Sequence, residues 1–566
     1  MIDFKKEIAD VLSRKMETMN EKEILDMIEI PPNPQMGDFA FPCFKLAKAF
    51  RKAPNAIAQE LSETIGQSEL FEKIQNEGPY LNFFIDKRTY AKTVIEDVLY
   101  QGEKFGSSQL GAGKKVIVEY SSPNIAKPFH IGHIRTTVIG HALKKIHQFL
   151  GYETISINHL GDYGTQFGKL IVAFNNWGNA AEVEAEPIPA LLKLYIKFHE
   201  EAEKNPTLED EARLWFKRLE EGDEEALKLW QWFRDESLKE FNRVYDMLGI
   251  EFDSYAGESF YSDKMPRVLE IMEKKGLLKE SKGAEIVDLE PYGMPPALIR
   301  KSDGSTLYIT RDIAAAIYRK EHYDFYKNIY VVGAQQNLHF QQWIKIIELM
   351  GNAWAKDCIH VPFGMVALEE GTMSTRKGRV VFLEDVLRKA VERTKEIIAA
   401  KSPNLEDKDE IAKQIGIGAV VFQELSNSRI KDYTFSWDKT LTFDGETGPY
   451  VQYTHARASS LLRKAEVDFK EGADYSLLSN EDAMHLIRMI QQFPSVIEDA
   501  GRKYEPSIIT RHIVDVAQAF NKFYHDCPII VEDKELQRAR LSLVYAAKQT
   551  IQNGLDLLGI SAPERM

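Results

Sequence analysis

The sequence predicts an α/β protein in which a parallel-sheet domain is preceded by a small α+β unit and followed by an all-α helical bundle. Three observations carry this. From about residue 114, short apolar runs alternate with long helical segments, as strands joined in parallel by helical crossovers require. Up to residue 108, helical spacing, a proline cluster and an aromatic strand are mixed in one short stretch. After about residue 447 strand signals fade and helical periodicity alone remains. The domains that result are 1–108, 109–446 and 447–566, in accord with the three or four that 566 residues allow at about 150 per domain.

Each element rests on its residues. Phe4, Ile8, Val11 and Leu12 repeat at helical spacing, Pro31, Pro32 and Pro34 break the chain, and 80–86 reads as an aromatic-rich strand. Residues 109–113 form a glycine-containing linker. Candidate parallel strands are 116–120, 154–160, 328–333 and 359–366. Residues 181–245, rich in Glu, Lys, Leu and Trp, read as a helical insertion with a solvated face, interrupted by Pro187 and Pro189. In the bundle, Leu486, Met489, Ile490 and Phe493 make one apolar stripe. Ile513, Val516, Ala517, Phe520, Phe523 and Tyr524 make another, and 534–558 is a third helix.

Composition narrows the class. With 34 Gly, 22 Pro and 44% hydrophobic residues, collagen-like, low-complexity and disordered chains are excluded. The 72 Lys+Arg against 86 Asp+Glu give a net charge of −14, which taken alone disfavours a nucleic-acid partner but says nothing about local clusters. Cys43, Cys358 and Cys527 stand far apart with no Cys-x-x-Cys, so neither a disulfide framework nor a zinc site is supported, and a reducing, cytoplasmic compartment is expected. The amino-terminal residues lack an apolar core of signal-peptide length. No stretch approaches the roughly 18 uncharged apolar residues of a membrane span.

The most informative segment is 116–133. A buried strand ends at Tyr120, a polar turn follows, and a helix begins near Gly132, the strand-end position where open α/β sheets hold ligands. Free N–H groups and the helix dipole favour phosphate there, and Gly132 leaves room for a nucleoside against the backbone. His130 and His133, three apart, can face one phosphate and stabilise charge that grows during in-line displacement. Lys127 stands just upstream. A second element, 371–379, packs Arg376, Lys377 and Arg379 between glycines and suits a mobile basic loop over a polyphosphate.

At these residues the chain resembles a known family. Ser122 to His133 resembles the HIGH element of class I aminoacyl-tRNA synthetases, and Met373-Ser374-Thr375-Arg376 resembles their KMSKS loop. More narrowly, the chain is similar to arginyl-tRNA synthetases from end to end. The tags are Gly37-Asp38-Phe39-Ala40, the run from Leu160 to Gly168, Gly257-Glu258-Ser259, Leu307-Tyr308-Ile309-Thr310-Arg311-Asp312, Gln335-Gln336-Asn337-Leu338-His339 and the terminal Pro563-Glu564-Arg565-Met566. The loop departs from the family pattern by having Thr372 and Thr375 where lysines belong. The resemblance implies that Lys127 supplies the missing charge, while Arg376 and Lys377 stay open as alternatives.

The resemblance implies a Rossmann-like catalytic domain and the following site. Lys127, His130, Gly132 and His133 are catalytic, and His130, His133, Met373, Ser374, Arg376 and His339 bind ATP. Ser122, Pro123, Asn124 and His133 meet the amino acid's own amino and carboxylate groups, with Asp162 and Gln166 along the wall. Tyr308, Asp312 and Gln336, with Glu258 as a second acid, surround the arginine side chain. Independently of any family, a guanidinium has five donors and a permanent charge, so a pocket for it needs carboxylates and planar acceptors. Tyr308 and Asp312, four apart on a predicted helix, can reach one ligand.

The implied reaction has two steps. The carboxylate of arginine attacks the α-phosphate of ATP to give arginyl-adenylate and pyrophosphate, and the 2′-hydroxyl of the terminal tRNA ribose then takes the arginyl group. Neither step needs a protein nucleophile, so positioning and charge stabilisation dominate. Mg²⁺ accompanies ATP as substrate, no cofactor is permanently bound and no protein-held metal is expected. The resemblance also implies that 1–108 meets the tRNA elbow, that 447–566 binds the anticodon of tRNA(Arg), and that the enzyme is a monomer requiring tRNA for activation. Tyr450, Tyr453 and Arg457 are the expected tRNA contacts, the aromatic rings suiting splayed bases.

Three rivals are weighed. A glutamate enzyme of the same class would need Arg or Lys where Tyr308, Asp312 and Gln336 stand. A small nucleotidyltransferase also uses His-x-Gly-His but has no need of the flanking domains. An inactive tRNA-binding paralogue is opposed by the presence of both histidines, Lys127 and the basic loop.

Overall fold

The computed structural model describes residues 4–16, 19–65, 70–301, 308–368 and 381–566. The chain forms two compact units, neither of them one continuous segment. The first comprises 1–105, 457–493 and 515–553, and the second 106–456, 494–514 and 554–566.

In the first unit β1 (Phe39–Pro42), β2 (Phe71–Glu77) and β3 (Tyr80–Ile85) form an antiparallel sheet in the order β1-β3-β2. Asp38, inside the Gly-Asp-Phe-Ala tag, explains why that tag is what it is. Its carboxylate accepts the Ile85 N–H at 2.9 Å and pairs with Arg488 Nε at 2.8 Å, so it joins the sheet to the helix Glu481–Lys503. Phe105 stacks on Phe493, with ring centroids 5.9 Å apart. The apolar stripe is buried at Ile513, Val516, Ala517, Phe520 and Phe523, whereas Tyr524 is exposed and carries the Arg457 guanidinium over its ring.

The second unit is built on a parallel sheet of β4 (Lys115–Glu119), β5 (Glu153–Ile157), β9 (Lys327–Gly333) and β10 (Cys358–Phe363), in the order β10-β9-β4-β5. These are the four strands expected from the sequence, with ends shifted by a few residues. Between them lies an antiparallel meander, β6 (Leu278–Ser281), β7 (Ala284–Val287) and β8 (Ala297–Arg300), which the sequence reading missed. A short parallel pair joins β11 (Val366–Leu368) to β12 (Tyr433–Phe435). The core behind β4 and β9 gathers Ile117, Ile157, Ile313, Tyr330 and Trp343.

The insertion is helical as expected, with helices Ala180–Ala185, Pro187–Lys204, Thr207–Glu220 and Glu224–Leu248. The break expected at Pro187 is there, the first of these helices ending at Ala185 and Pro187 lying just beyond it. Pro187 opens the second of these helices from the first turn, where its missing N–H costs nothing and its fixed φ suits the helix. Among the described residues, no helix is long and apolar enough to cross a membrane.

Candidate active site

β4 carries the chain to the crevice. Val116, Ile117 and Val118 are fully buried because β4 is paired in parallel on both sides, which is why the sequence reads there as an unbroken apolar run. Strand order reverses at the β4/β9 seam, so the loops that follow these strands diverge and leave an opening at their carboxyl ends.

The loop after β4 is held in an unusual shape. Ser121, Ser122 and Ala126 have φ of 70°, 49° and 59°, a left-handed conformation that costs each of them on the order of 1–3 kcal/mol. Side chains from elsewhere fix that shape. Ser121 N–H donates to Thr136 Oγ1 at 3.0 Å, Ser122 N–H to Asn158 Oδ1 at 3.1 Å, and Ala126 N–H to Ser237 Oγ at 3.0 Å. The helix Ile134–Phe149 closes against the loop through Gly140, where a Cβ would lie 2.1 Å from Tyr120 Cβ. Pro123 is buried and its carbonyl accepts the Gly161 N–H at 3.0 Å, while exposed Asn124 lies over Gly161 so closely that a Cβ there would meet Asn124 Oδ1 at 2.2 Å.

His130 and His133 sit at the helix entrance with ring centroids 4.1 Å apart. Gly132 N–H donates to His130 Nδ1 at 3.1 Å, and His130 N–H to His133 Nδ1 at 3.2 Å. An Nδ1 that accepts leaves the proton of a neutral imidazole on Nε2, as in His130, whereas His133 Nδ1 also lies 3.3 Å from His130 O, to which its other tautomer would donate. Burial lowers the pKa of both, and for His133, with His130 and Lys127 adding repulsion, to about 3. The pair therefore acts as neutral hydrogen-bond donors rather than as cations. Burial also lowers the Lys127 ammonium, against which Glu258 acts as a nearby negative charge.

The acids come from other elements. Tyr308, Arg311 and Asp312 share one face of the helix Tyr308–Tyr323. Asp312 Oδ2 is 2.5 Å from His339 Nε2, and the rings of His339 and Tyr308 are 4.6 Å apart, with Tyr308 51% exposed. His339 thus stands among the residues expected for the arginine side chain. Gln336, in the short turn after β9, is exposed. Glu258 pairs through Oε2 with Arg311 Nη1 at 2.6 Å. Burial raises the Glu258 pKa, Arg311 and His159 oppose this, and Asp312 and Asp162 reinforce it. Charge interactions link His133 to Lys127, Lys127 to Glu258 and Glu258 to Asp312, which in turn meets His339.

Asp162, expected along the wall, is only 1% exposed and its carboxylate is taken up elsewhere. It accepts from Ser259 N–H at 2.8 Å and Ser259 Oγ at 2.9 Å and pairs with Arg234 Nε at 3.3 Å, so it secures the Gly257-Glu258-Ser259 turn. Gln166 is half-buried in the first turn of the helix Thr165–Trp177.

Met373, Ser374, Arg376 and Lys377 lie outside the described residues, as does Leu307. The flanks of the basic segment are described, and both are tied to the site. β11 precedes it, and on its far side Ile131 N–H donates to Val381 O at 3.1 Å and Leu383 N–H to Phe129 O at 2.9 Å. Behind β11 and β12, Arg135 and Glu424 form a fully buried ion pair at 2.6 Å, with Tyr433 OH donating to Glu424 at 2.5 Å.

Tyr450, Tyr453 and Arg457 are on the helix Gly448–Arg463. Tyr453 is 41% exposed, and Arg457 Nη1 donates to Asn521 Oδ1 at 2.5 Å. Among the described residues, no His, Cys, Asp and Glu side chains cluster in the manner of a metal site.

The sequence reading passed over Arg311, Tyr163 and His159 although the first two were inside quoted tags. Their signal was position: Arg311 is three residues after Tyr308 on the same helical face, and Tyr163 follows Asp162 directly.

Known proteins match the chain over its whole length. Residues 94–437 match the family described as tRNA synthetases class I (R), catalytic domain, residues 451–566 the DALR anticodon binding domain, and residues 3–85 the arginyl tRNA synthetase N terminal domain. The chain is 66% identical to an arginine–tRNA ligase of Halothermothrix orenii and 68% identical to one of Clostridioides difficile, in each case over 100% of both chains. Among solved structures it resembles Thermus thermophilus arginyl-tRNA synthetase, with a TM-score of 0.83, 25% identity and coverage of 100% of both chains. The arginyl-tRNA synthetase of Plasmodium falciparum has the same fold, with a TM-score of 0.81 at 23% identity, over 100% of this chain and 98% of that one. A strand-end histidine pair facing a crevice of acids, in a chain matched from end to end, leads to one conclusion: the chain belongs to the arginyl-tRNA synthetase family of class I aminoacyl-tRNA synthetases.

Proposed function

We propose that the chain activates L-arginine with ATP, supplied as its Mg²⁺ complex, to arginyl-adenylate and pyrophosphate, and then transfers arginine to the 3′-terminal ribose of tRNA(Arg). The observation that supports this reading is a pair of neutral imidazoles after a central parallel strand, linked by charge through Lys127 to the acids Glu258 and Asp312.

Each residue then has a task. Glu258 and Asp312, with Tyr308 and Gln336 beside them, receive the guanidinium, and Ser122, Pro123, Asn124 and His133 flank the reacting end of the amino acid. The arginine carboxylate is ionised at neutral pH and attacks unaided, so the enzyme's contribution is orientation and stabilisation of the charge that builds on the transferred phosphorus group. His130 and His133 donate to its oxygens, Gly132 admits the nucleoside, and Lys127 supplies positive charge. Lowered by burial, that charge is held in the crevice by Glu258. Met373, Ser374 and Arg376 close over the pyrophosphate end, and His339 adjusts Asp312 as well as approaching the nucleotide. Residues 1–108 meet the tRNA elbow, and 447–566, through Tyr450, Tyr453 and Arg457, read the anticodon. The enzyme works as a cytoplasmic monomer.

The test is ATP-dependent charging of purified tRNA with each amino acid in turn, with pyrophosphate exchange measured in the presence and absence of tRNA. Charging by arginine alone is expected. Charging by another amino acid, or by none, would overturn the reading.

A further inference from the structure

Glu258 already holds a guanidinium, one that belongs to the protein. Arg311 Nη1 meets only Oε2, at 2.6 Å, and no hydrogen bond to Oε1 is found among the described residues. The Arg311 side chain is 12% exposed, its Cζ lies 4.6 Å from the centre of the Tyr163 ring, and its buried Nε has no hydrogen-bond partner among the described residues. Tyr163 is fixed in turn by donating its hydroxyl to Glu220, at the end of the insertion helix Thr207–Glu220. An arginine that leaves one donor unsatisfied in order to stack on a tethered ring is placed for orientation, since its planar fork is rigid and cannot be replaced by a point charge.

We infer that Arg311 is a specificity-setting positioning residue: seated on Tyr163, it holds Glu258 aimed into the crevice through one oxygen. This leaves Asp312 with no guanidinium partner among the described residues, the partner a substrate side chain brings. The inference rests on the reading of these acids as the arginine site. Arg311 answers the Glu258 charge directly and Lys127 adds a second positive charge nearby, whereas Asp312 meets only His339 among the described residues and so favours a cationic side chain over a neutral isostere. The groups facing Glu258 are Lys127 from the loop after β4, His159, Asp162 and Tyr163 from the loop after β5, and Arg311 and Asp312 from the helix. Without Arg311, burial and the two aspartates act on Glu258 against only Lys127 and His159, and its protonation moves toward neutral pH.

The experiment measures pyrophosphate exchange by Arg311→Met and Arg311→Lys from pH 6 to 8, with arginine varied, with ATP varied, and with citrulline as the neutral competitor. For Arg311→Met the KM for arginine is expected to rise about 10- to 100-fold, the loss of one charge-assisted contact, with the KM for ATP unchanged. That KM should fall as pH rises, whereas the wild type is flat, and discrimination against citrulline should weaken at low pH. Arg311→Lys should restore the flat pH profile while keeping a raised KM. A pH-independent KM in Arg311→Met, or a change confined to kcat, overturns the inference. If Arg311→Met does not fold, a sloping pH profile in Arg311→Lys equally overturns it and a flat one with raised KM supports it. Asp312→Asn is run alongside: if it leaves the KM for arginine unchanged, the assignment of the site fails first. If it raises that KM and Arg311→Met does not, only the present inference falls.

Discussion

His133 performs two jobs with two nitrogens, and they can be separated. In the tautomer protonated on Nε2, Nδ1 accepts the His130 N–H at 3.2 Å and so holds the turn, while Nε2–H is left to donate toward the reacting phosphate. An asparagine amide overlays Nδ1 and stops short of Nε2, and a glutamine amide reaches the Nε2 position without serving Nδ1. His133→Asn should therefore keep the turn, with stability within about 1 kcal/mol of wild type, and lose one preorganised donor, worth about 100- to 1000-fold in the activation rate. His133→Gln should show the reverse: a smaller loss of rate, and a stability cost of about 1–3 kcal/mol from the His130 N–H left unsatisfied in a half-buried site. His133→Ala combines both losses. The assay is arginine-dependent pyrophosphate exchange with tRNA present, paired with urea unfolding of each variant. If the asparagine variant exchanges at the wild-type rate, or the two variants lose rate and stability in the same proportion, the division of roles is wrong.

Asp312→Asn keeps the shape of the carboxylate and removes its charge, so the KM for arginine should rise about 10- to 100-fold with ATP affinity unaltered, as steady-state kinetics will check. Gly161→Ala would bring a Cβ to 2.2 Å from Asn124 Oδ1 and must displace that side chain. Overpacking of this kind should cost roughly 1–3 kcal/mol in a denaturant titration and raise the KM for arginine with it. Stability should fall as pH drops from about 6.5 to 4.5, measured as Tm across that window. Burial lowers the pKa of His130, His133, His141, His147 and His360, so in the window the unfolded chain binds more protons at these sites and stability is present above it. Glu258 and Glu424 are raised and pull the other way, but two groups are outnumbered by five. A Tm that climbs on acidification would contradict the balance.

What was legible in the sequence follows from where the information is stored. The strands of the parallel sheet are buried on both faces, so each appears as an uninterrupted apolar run. β6, β7 and β8 are short and carry Lys279, Glu280 and Glu285, and such half-exposed antiparallel strands leave no run to detect. The histidine motif was legible because its geometry is local, within four residues after a strand. The role of Asp162 was not, because Ser259 and Arg234 lie 97 and 72 residues away and no local pattern announces them. The same holds for Arg311, whose meaning depends on Glu258, 53 residues distant. The pairing of Asp38 with Arg488 spans 450 positions and turns a four-residue tag into a structural clamp.

That last distance bears on how the chain is made. The first unit draws on 1–105 and then on nothing until 457–493 and 515–553. Asn553 Nδ2 donates to Gly102 O at 3.1 Å and Phe105 O at 3.0 Å, contacts that exist only when the last of these segments has been synthesised. With 553 − 105 = 448 residues to add at about 5–20 residues per second, the amino-terminal segment waits roughly 20–90 s for its partners. During that wait Phe105 lacks Phe493 and the Asp38 carboxylate, though it can still accept from Ile85, lacks Arg488, so nascent chains stalled anywhere between these positions should be the protease-sensitive and chaperone-bound species of this protein.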